Sequence, residues 1–124
     1  MLLNNFFKLN NIEVSSDKSS AFANATLNPE HSIFDGHFPG NPVVPGVCMI
    51  QMIKEILSEI YKMELMLVKS SSIKMNNLID PLQNRIINFE LKTKSVDENN
   101  IHVSSKIYFG SIKFCMFKGD FRFF

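Results

Sequence analysis

Residues 34–63 read FDGHFPGNPVVPGVCMIQMIKEILSEIYKM, and the change of pattern halfway along this run decides the fold. From Val47 to Met63 the apolar residues Val47, Ile50, Ile53, Ile56, Leu57 and Ile60 recur at three- and four-residue spacing, which is the period of a helix. Gln51, Glu55, Ser58, Glu59 and Lys62 make the opposite stripe polar. Met49 and Met52 widen the apolar arc beyond that of a surface helix, so other elements must wrap most of its sides. About 17 residues give a length near 25 Å. Before the helix, residues 29–46 hold four of the five prolines (Pro29, Pro39, Pro42, Pro45) and three of the five glycines (Gly36, Gly40, Gly46). Proline fixes φ and removes a donor, so this stretch is neither helix nor central strand. It is also too apolar for a linker, because Ile33, Phe34, Phe38, Val43 and Val44 require burial. A stiff apolar loop feeding a buried helix is the signature feature of the chain.

Outward from this run, β signals dominate on both sides. Upstream, 6–14 and 21–27 read as two strands separated by the polar turn 15–20, and Asn28-Pro29 ends the second. Downstream, 65–75 is β-compatible and Asp80-Pro81 marks a turn. In the strand that opens at Arg85, Ile87, Phe89, Leu91 and Thr93 alternate with Asn88, Glu90, Lys92 and Lys94, the period of a half-buried strand. Residues 101–109 and 111–121 form two more strands, hinged at Gly110. Their hairpin spacing makes them antiparallel. Two strands, a loop, one long helix and several antiparallel strands make an α+β fold with the sheet curled around the helix, in a single domain spanning 1–124. Strand 86–94 is expected at the sheet edge, where it would pair with a second copy of the chain.

The composition excludes several classes. With 45% hydrophobic and 20% charged residues and 12 Phe, the 124-residue chain has ample apolar surface to bury, so disorder is excluded. No run of about 18 apolar residues lacks a charge, so no membrane-spanning helix is expected. A net charge of +1 is far from that of a nucleic-acid binder. The charge is unevenly spread: residues 1–64 carry 4 basic and 7 acidic groups, and residues 65–124 carry 9 and 5. The basic half is suited to an acidic partner. Cys48 and Cys115 match neither a disulfide framework nor a metal spacing, and residues 1–11 lack a signal peptide's basic and apolar regions, so the cytoplasm is the expected compartment.

The loop delivers His37 on a rigid apolar scaffold and ends in Pro45-Gly46-Val47, where the helix begins. First-turn amides have no intrahelical acceptor and carry partial positive charge. An imidazole that moves a proton, beside amides that polarise a carbonyl, suits carbonyl chemistry. His31, in Glu30-His31-Ser32, reads as solvent-exposed, His102 as a surface strand residue, and Cys48 as a buried thiol. His31, His37 and Cys48 do not have a zinc ligand spacing.

The run Gly36-His37-Phe38-Pro39-Gly40-x-Pro42-x-x-Pro45-Gly46-Val47 resembles the active-site segment of the β-hydroxyacyl-acyl-carrier-protein dehydratases, hotdog-fold proteins in which an antiparallel sheet wraps one long helix. The resemblance covers about twelve positions at motif level and nearly the whole chain in element order. It implies dehydration of a (3R)-hydroxyacyl thioester, on acyl carrier protein or coenzyme A, to the trans-2-enoyl thioester without metal or organic cofactor. His37 would take the α-proton and the Gly46 amide would bind the thioester carbonyl. Phe38 to Val44, Pro45 and Val47 would line the acyl site. The family's second catalytic group is a helix carboxylate fourteen residues after the histidine, facing the partner subunit's histidine in a dimer. Here that position is Gln51, which cannot titrate. Three readings follow: Gln51 orients the leaving water while His37 alone shuttles the proton; Glu55, one turn on, substitutes; or the chain is an impaired acyl- and carrier-binding subunit, paired with itself or with an active homologue. A hotdog thioesterase is a further alternative, disfavoured by the lack of a carboxylate at 51. Lys69, Lys74, Lys92, Lys94 and Lys106 are the expected carrier-docking residues.

Overall fold

The long helix, α1 (Gly46–Tyr61), turns Met52, Ile53, Ile56 and Leu57 wholly away from solvent. Burial of each such side chain contributes roughly 1.5–3 kcal/mol. The computed structural model describes residues 1–38 and 40–124; Pro39, part of the motif quoted above, lies outside them. Six strands surround the helix: β1 (Phe7–Val14), β2 (Ser20–Leu27), β3 (Leu65–Met75), β4 (Ile86–Ser95), β5 (Asn100–Phe109) and β6 (Ile112–Phe123). They form one antiparallel sheet in the order β1-β2-β4-β5-β6-β3. This is the expected α+β hotdog architecture, with one sheet curled around one helix.

Strand alternation sets the register. Ile87, Phe89 and Leu91 of β4 point inward beside Val103 and Ile107 of β5 and Phe117 and Phe121 of β6, all essentially buried against α1. The other face is polar. Asn10 donates to Asn24 at 2.8 Å, and Asn24 donates to Asn88 at 2.7 Å, making a ladder across three strands. The helix stops at Tyr61 because Lys62 adopts a left-handed conformation (φ 57°) and returns its N–H to the Ser58 carbonyl. The Tyr61 hydroxyl then lies 3.0 Å from Thr93 Oγ1, tying the helix end to β4.

One expectation is overturned. Strand 86–94 is not at an edge: β4 pairs with β2 on one side and β5 on the other. The free edges are β1 and β3. Residues 76–85 carry the chain away from β3, so β3 joins β6 instead of forming a hairpin with β4. Beyond Leu65, every β3 residue is exposed, including Met66, Leu67, Val68, Ile73 and Met75. An apolar, unpaired edge strand is a template for another chain.

Candidate active site

The proline-rich loop is held by backbone hydrogen bonds despite its irregular path. His31 caps the short 3-10 turn Ser32–Asp35, its Nδ1 accepting from the Ile33 N–H at 3.0 Å. It also meets the Phe6 ring edge-on, so it is a half-buried structural residue rather than the exposed one expected. Phe38 and Asn41 exchange N–H···O bonds of 3.1 and 2.8 Å, and Gly40, at φ 73°, supplies the left-handed position this turn needs. The Val43 N–H donates to the His37 carbonyl at 3.0 Å, and the Val44 N–H donates to Ile79 at 2.9 Å. Val43, Val44 and Pro45 are buried, anchoring the loop where it enters α1.

His37 is half-buried and its ring lies 4.4 Å, centroid to centroid, from that of Phe38. Its Nδ1 is buried with no hydrogen-bond partner among the described residues. Leaving a buried ring nitrogen unmatched costs on the order of 1–3 kcal/mol, a penalty that folds retain chiefly where the group has other work. Pro45 occupies the N-cap of α1 and offers no capping side chain, and no acidic residue stands in the first turn. The Cys48 and Met49 N–H groups turn back to the Pro45 carbonyl, but those of Gly46 and Val47 find no acceptor among the described residues. The helix therefore begins with two unclaimed, partially positive donors. A Cβ on Gly46 would lie 2.8 Å from the Met75 Cε, so glycine here lets the β3 side chain close on the helix start. Phe38, expected to be buried, and Val47, expected on the helix's buried stripe, are instead 53% and 76% exposed, an apolar lip on the same segment that only a ligand or a second chain could cover.

Gln51 is half-buried and lines an open groove of about 570 Å³ with Met1, Lys54, Glu55, Ser58 and neighbouring residues. His37 does not line this groove. Gln51 Nε2 donates to Glu55 Oε2 at 2.7 Å. Glu55 is not on a solvated stripe, as its spacing suggested, but is only 5% exposed. Its carboxylate accepts the Leu2 N–H at 3.0 and 2.9 Å and the Leu3 N–H at 2.8 Å. These bonds occupy Glu55, so it is not free to replace Gln51 as a proton donor. Sequence reasoning missed this pair, although i,i+4 spacing on a helix was a usable signal.

The remaining candidates are structural. His102 Nδ1 lies 2.6 Å from Asp120 Oδ1 on the outer sheet face. Burial raises the Cys48 and Cys115 thiols above the ordinary range, which disfavours nucleophilic thiolate. No cluster of three or more metal-ligating side chains forms among the described residues. No helix among them is long and apolar enough to cross a membrane. Register places Lys92, Lys94 and Lys106 on one outer face with Lys69, Lys74 and Lys118, so the lysines picked from the sequence share a surface.

Comparison with known proteins bears on this site. A family model described as ApeI-like, ApeI dehydratase, matches residues 13–108. The 3-hydroxyacyl-[acyl-carrier-protein] dehydratase FabZ of Lactococcus lactis is 44% identical over 43 residues, covering 35% of this chain and 27% of that protein. A FabZ of Enterococcus faecalis is 38% identical over 52 residues, covering 40% of this chain and 36% of that one. The chain thus matches only about a quarter to a third of these relatives' length. Among solved structures, the dehydratase heterocomplex ApeI:P of Xenorhabdus doucetiae superposes with a TM-score of 0.72 at 15% identity, covering 93% of this chain and 96% of that one. A mutant thioesterase of Pseudomonas aeruginosa superposes with a TM-score of 0.61 at 9% identity, covering 90% and 78%. At such identities the structural likenesses show the hotdog fold alone.

Proposed function

The chain belongs to the ApeI-like dehydratase family, and from that premise we propose that it eliminates water from (3R)-hydroxyacyl thioesters, with His37 as the proton carrier. The observation that carries this reading is the buried Nδ1 of His37, which has no hydrogen-bond partner among the described residues, on the loop that leads into two helix-start amides without an acceptor among them. In the proposed reaction the imidazole takes a proton from Cα of the thioester. Negative charge gathers on the thioester oxygen, where the Gly46 and Val47 N–H groups stabilise it. The Cα–Cβ double bond forms as the Cβ–O bond breaks, and the imidazolium returns its proton to the departing hydroxyl, which leaves as water. Charge and protons balance without an external reagent. Gln51 does not titrate; its part is to hold the 3-hydroxyl and the water it becomes.

A second copy completes the site in this proposal. β3 offers the free edge, and the β3 residues opposite inward-facing β6 residues are Leu65, Leu67, Ser70, Ile73 and Met75. Two bulges, between Leu67 and Lys69 and between Ser70 and Ser72, make this spacing symmetric about Ser70. A two-fold axis there would oppose Leu67 to Ile73 and Leu65 to Met75 of the partner, and no lysine to a lysine. Such isologous pairing suits a homodimer. It would bring one chain's Gln51 groove toward the other's His37. The basic outer face is the proposed dock for an acidic acyl carrier protein. The rival reading, a non-catalytic acyl-binding subunit, draws on the missing carboxylate at 51. The test is turnover of 3-hydroxyacyl thioesters on carrier protein, pantetheine and coenzyme A, read as enoyl-thioester absorbance. Turnover supports the dehydratase; carrier binding without turnover by any of them supports the subunit.

A further inference from the structure

We infer that Glu55 is a positioning residue that makes the Gln51 carbonyl, not its NH2 group, face the substrate, so that the site selects 3-hydroxyacyl over 3-oxoacyl thioesters. The inference rests on the dehydratase reading above and adds to it a basis for discriminating substrate from its oxidised counterpart. A carboxylate only accepts hydrogen bonds. Glu55 accepts the Leu3 N–H through Oε1 at 2.8 Å, shares the Leu2 N–H between its two oxygens at 3.0 and 2.9 Å, and accepts from Gln51 through Oε2 at 2.7 Å. The neighbouring amide can therefore turn only its NH2 group toward Glu55. Its Oε1 is then turned to the side away from Glu55, and no hydrogen bond to a described residue occupies it. An outward carbonyl oxygen accepts from a 3-hydroxyl and repels a 3-oxo group. Glu55 is buried, so its hold on the amide is short, charge-assisted and poorly screened.

Glu55→Gln makes a prediction of sign. The two N–H groups of the 2–3 segment would claim the new amide oxygen, leaving its NH2 beside Gln51. Gln51 would then have to flip, offering Oε1 inward and NH2 outward. A purely structural role for Glu55 would weaken both ligands together and leave their ratio unchanged.

The experiment measures dissociation constants by calorimetry for two pantetheine thioesters that cannot eliminate water, 2,2-dimethyl-3-hydroxybutyryl and 2,2-dimethyl-3-oxobutyryl. Wild type should prefer the hydroxy ligand about tenfold, the worth of one hydrogen bond gained and one repulsion avoided. In Glu55→Gln the ratio should fall to about one or reverse. Gln51→Leu, which leaves Glu55 and the N-terminal segment paired, should bring it to about one, and a ratio unchanged there overturns the inference even if Glu55→Gln does not fold. A wild-type ratio near one, or a ratio unchanged in either variant, overturns the inference alone. A wild type that binds neither ligand overturns the inference; if it also turns over no 3-hydroxyacyl thioester, the dehydratase reading falls with it.

Discussion

Gln51→Glu, which restores the carboxylate of the resembled motif, should cost stability in a pH-dependent way. The present amide donates to a buried carboxylate 2.7 Å away. A carboxylate in its place would set two like charges side by side. At about 4 Å and an effective dielectric near 20, that repulsion is about 4 kcal/mol. The groove is open to water on one side, so about 1–2 kcal/mol is the realistic share, or roughly one pH unit. The introduced carboxyl would therefore keep its proton to higher pH in the folded state than in the unfolded chain. Between those two values the folded state binds more protons, so stability falls as pH rises. At pH 8 the variant should melt about 4–8 °C below wild type, and near pH 4 the deficit should largely vanish. Scanning calorimetry across that range is the assay. A deficit independent of pH, or none at pH 8, would refute the contact between positions 51 and 55 as described. The same raised affinity for a proton would favour general-acid catalysis, with a ceiling of about 10²–10⁴ in turnover.

Three other outcomes follow from the geometry. Ile73→Lys, which places a charge in the proposed β3 seam, should give monomers by light scattering where wild type gives dimers; a wild-type monomer at micromolar concentration would dispose of the seam. Reversing Lys69, Lys94 and Lys118 to Glu should weaken association with acyl carrier protein, most at low salt, and unchanged binding by calorimetry would leave that face merely solvated. Gly119→Ala should lose roughly 1–3 kcal/mol in urea unfolding, because its Cβ would stand 2.6 Å from Phe117 Cζ and 2.7 Å from the Lys69 carbonyl oxygen; an unchanged midpoint would count against the tight β3–β6 contact.

The sequence made the helix legible because Ile53, Ile56 and Ile60 repeat at the helical period and also face the core. It placed the six strands to within a few residues, because Ile87, Phe89 and Leu91 alternate as one buried face demands. It misplaced the edge. A central strand and an edge strand of a sheet with one wet face carry the same alternation, and only pairing partners distinguish β4 from β3. The better signal lay in β3 itself, whose Met66, Leu67 and Val68 run without alternation. His37 and the 45–47 helix start were legible as a motif. The burial of Glu55 was not, because the amides that satisfy it come from Leu2 and Leu3, more than fifty residues away in sequence. The shielded side of His31 was hidden for the same reason, since Phe6 and its loop meet only in the folded chain.

The central claim is that His37 carries the proton of a dehydration. Its most direct test is the rate of enoyl-thioester formation from (3R)-hydroxyacyl thioesters by wild type and by His37→Ala, both shown to be folded by circular dichroism. Removing the proton carrier should lower turnover by about 10²–10⁴ or more while thioester affinity changes little. Turnover retained in His37→Ala would contradict the mechanism outright, whatever the fold.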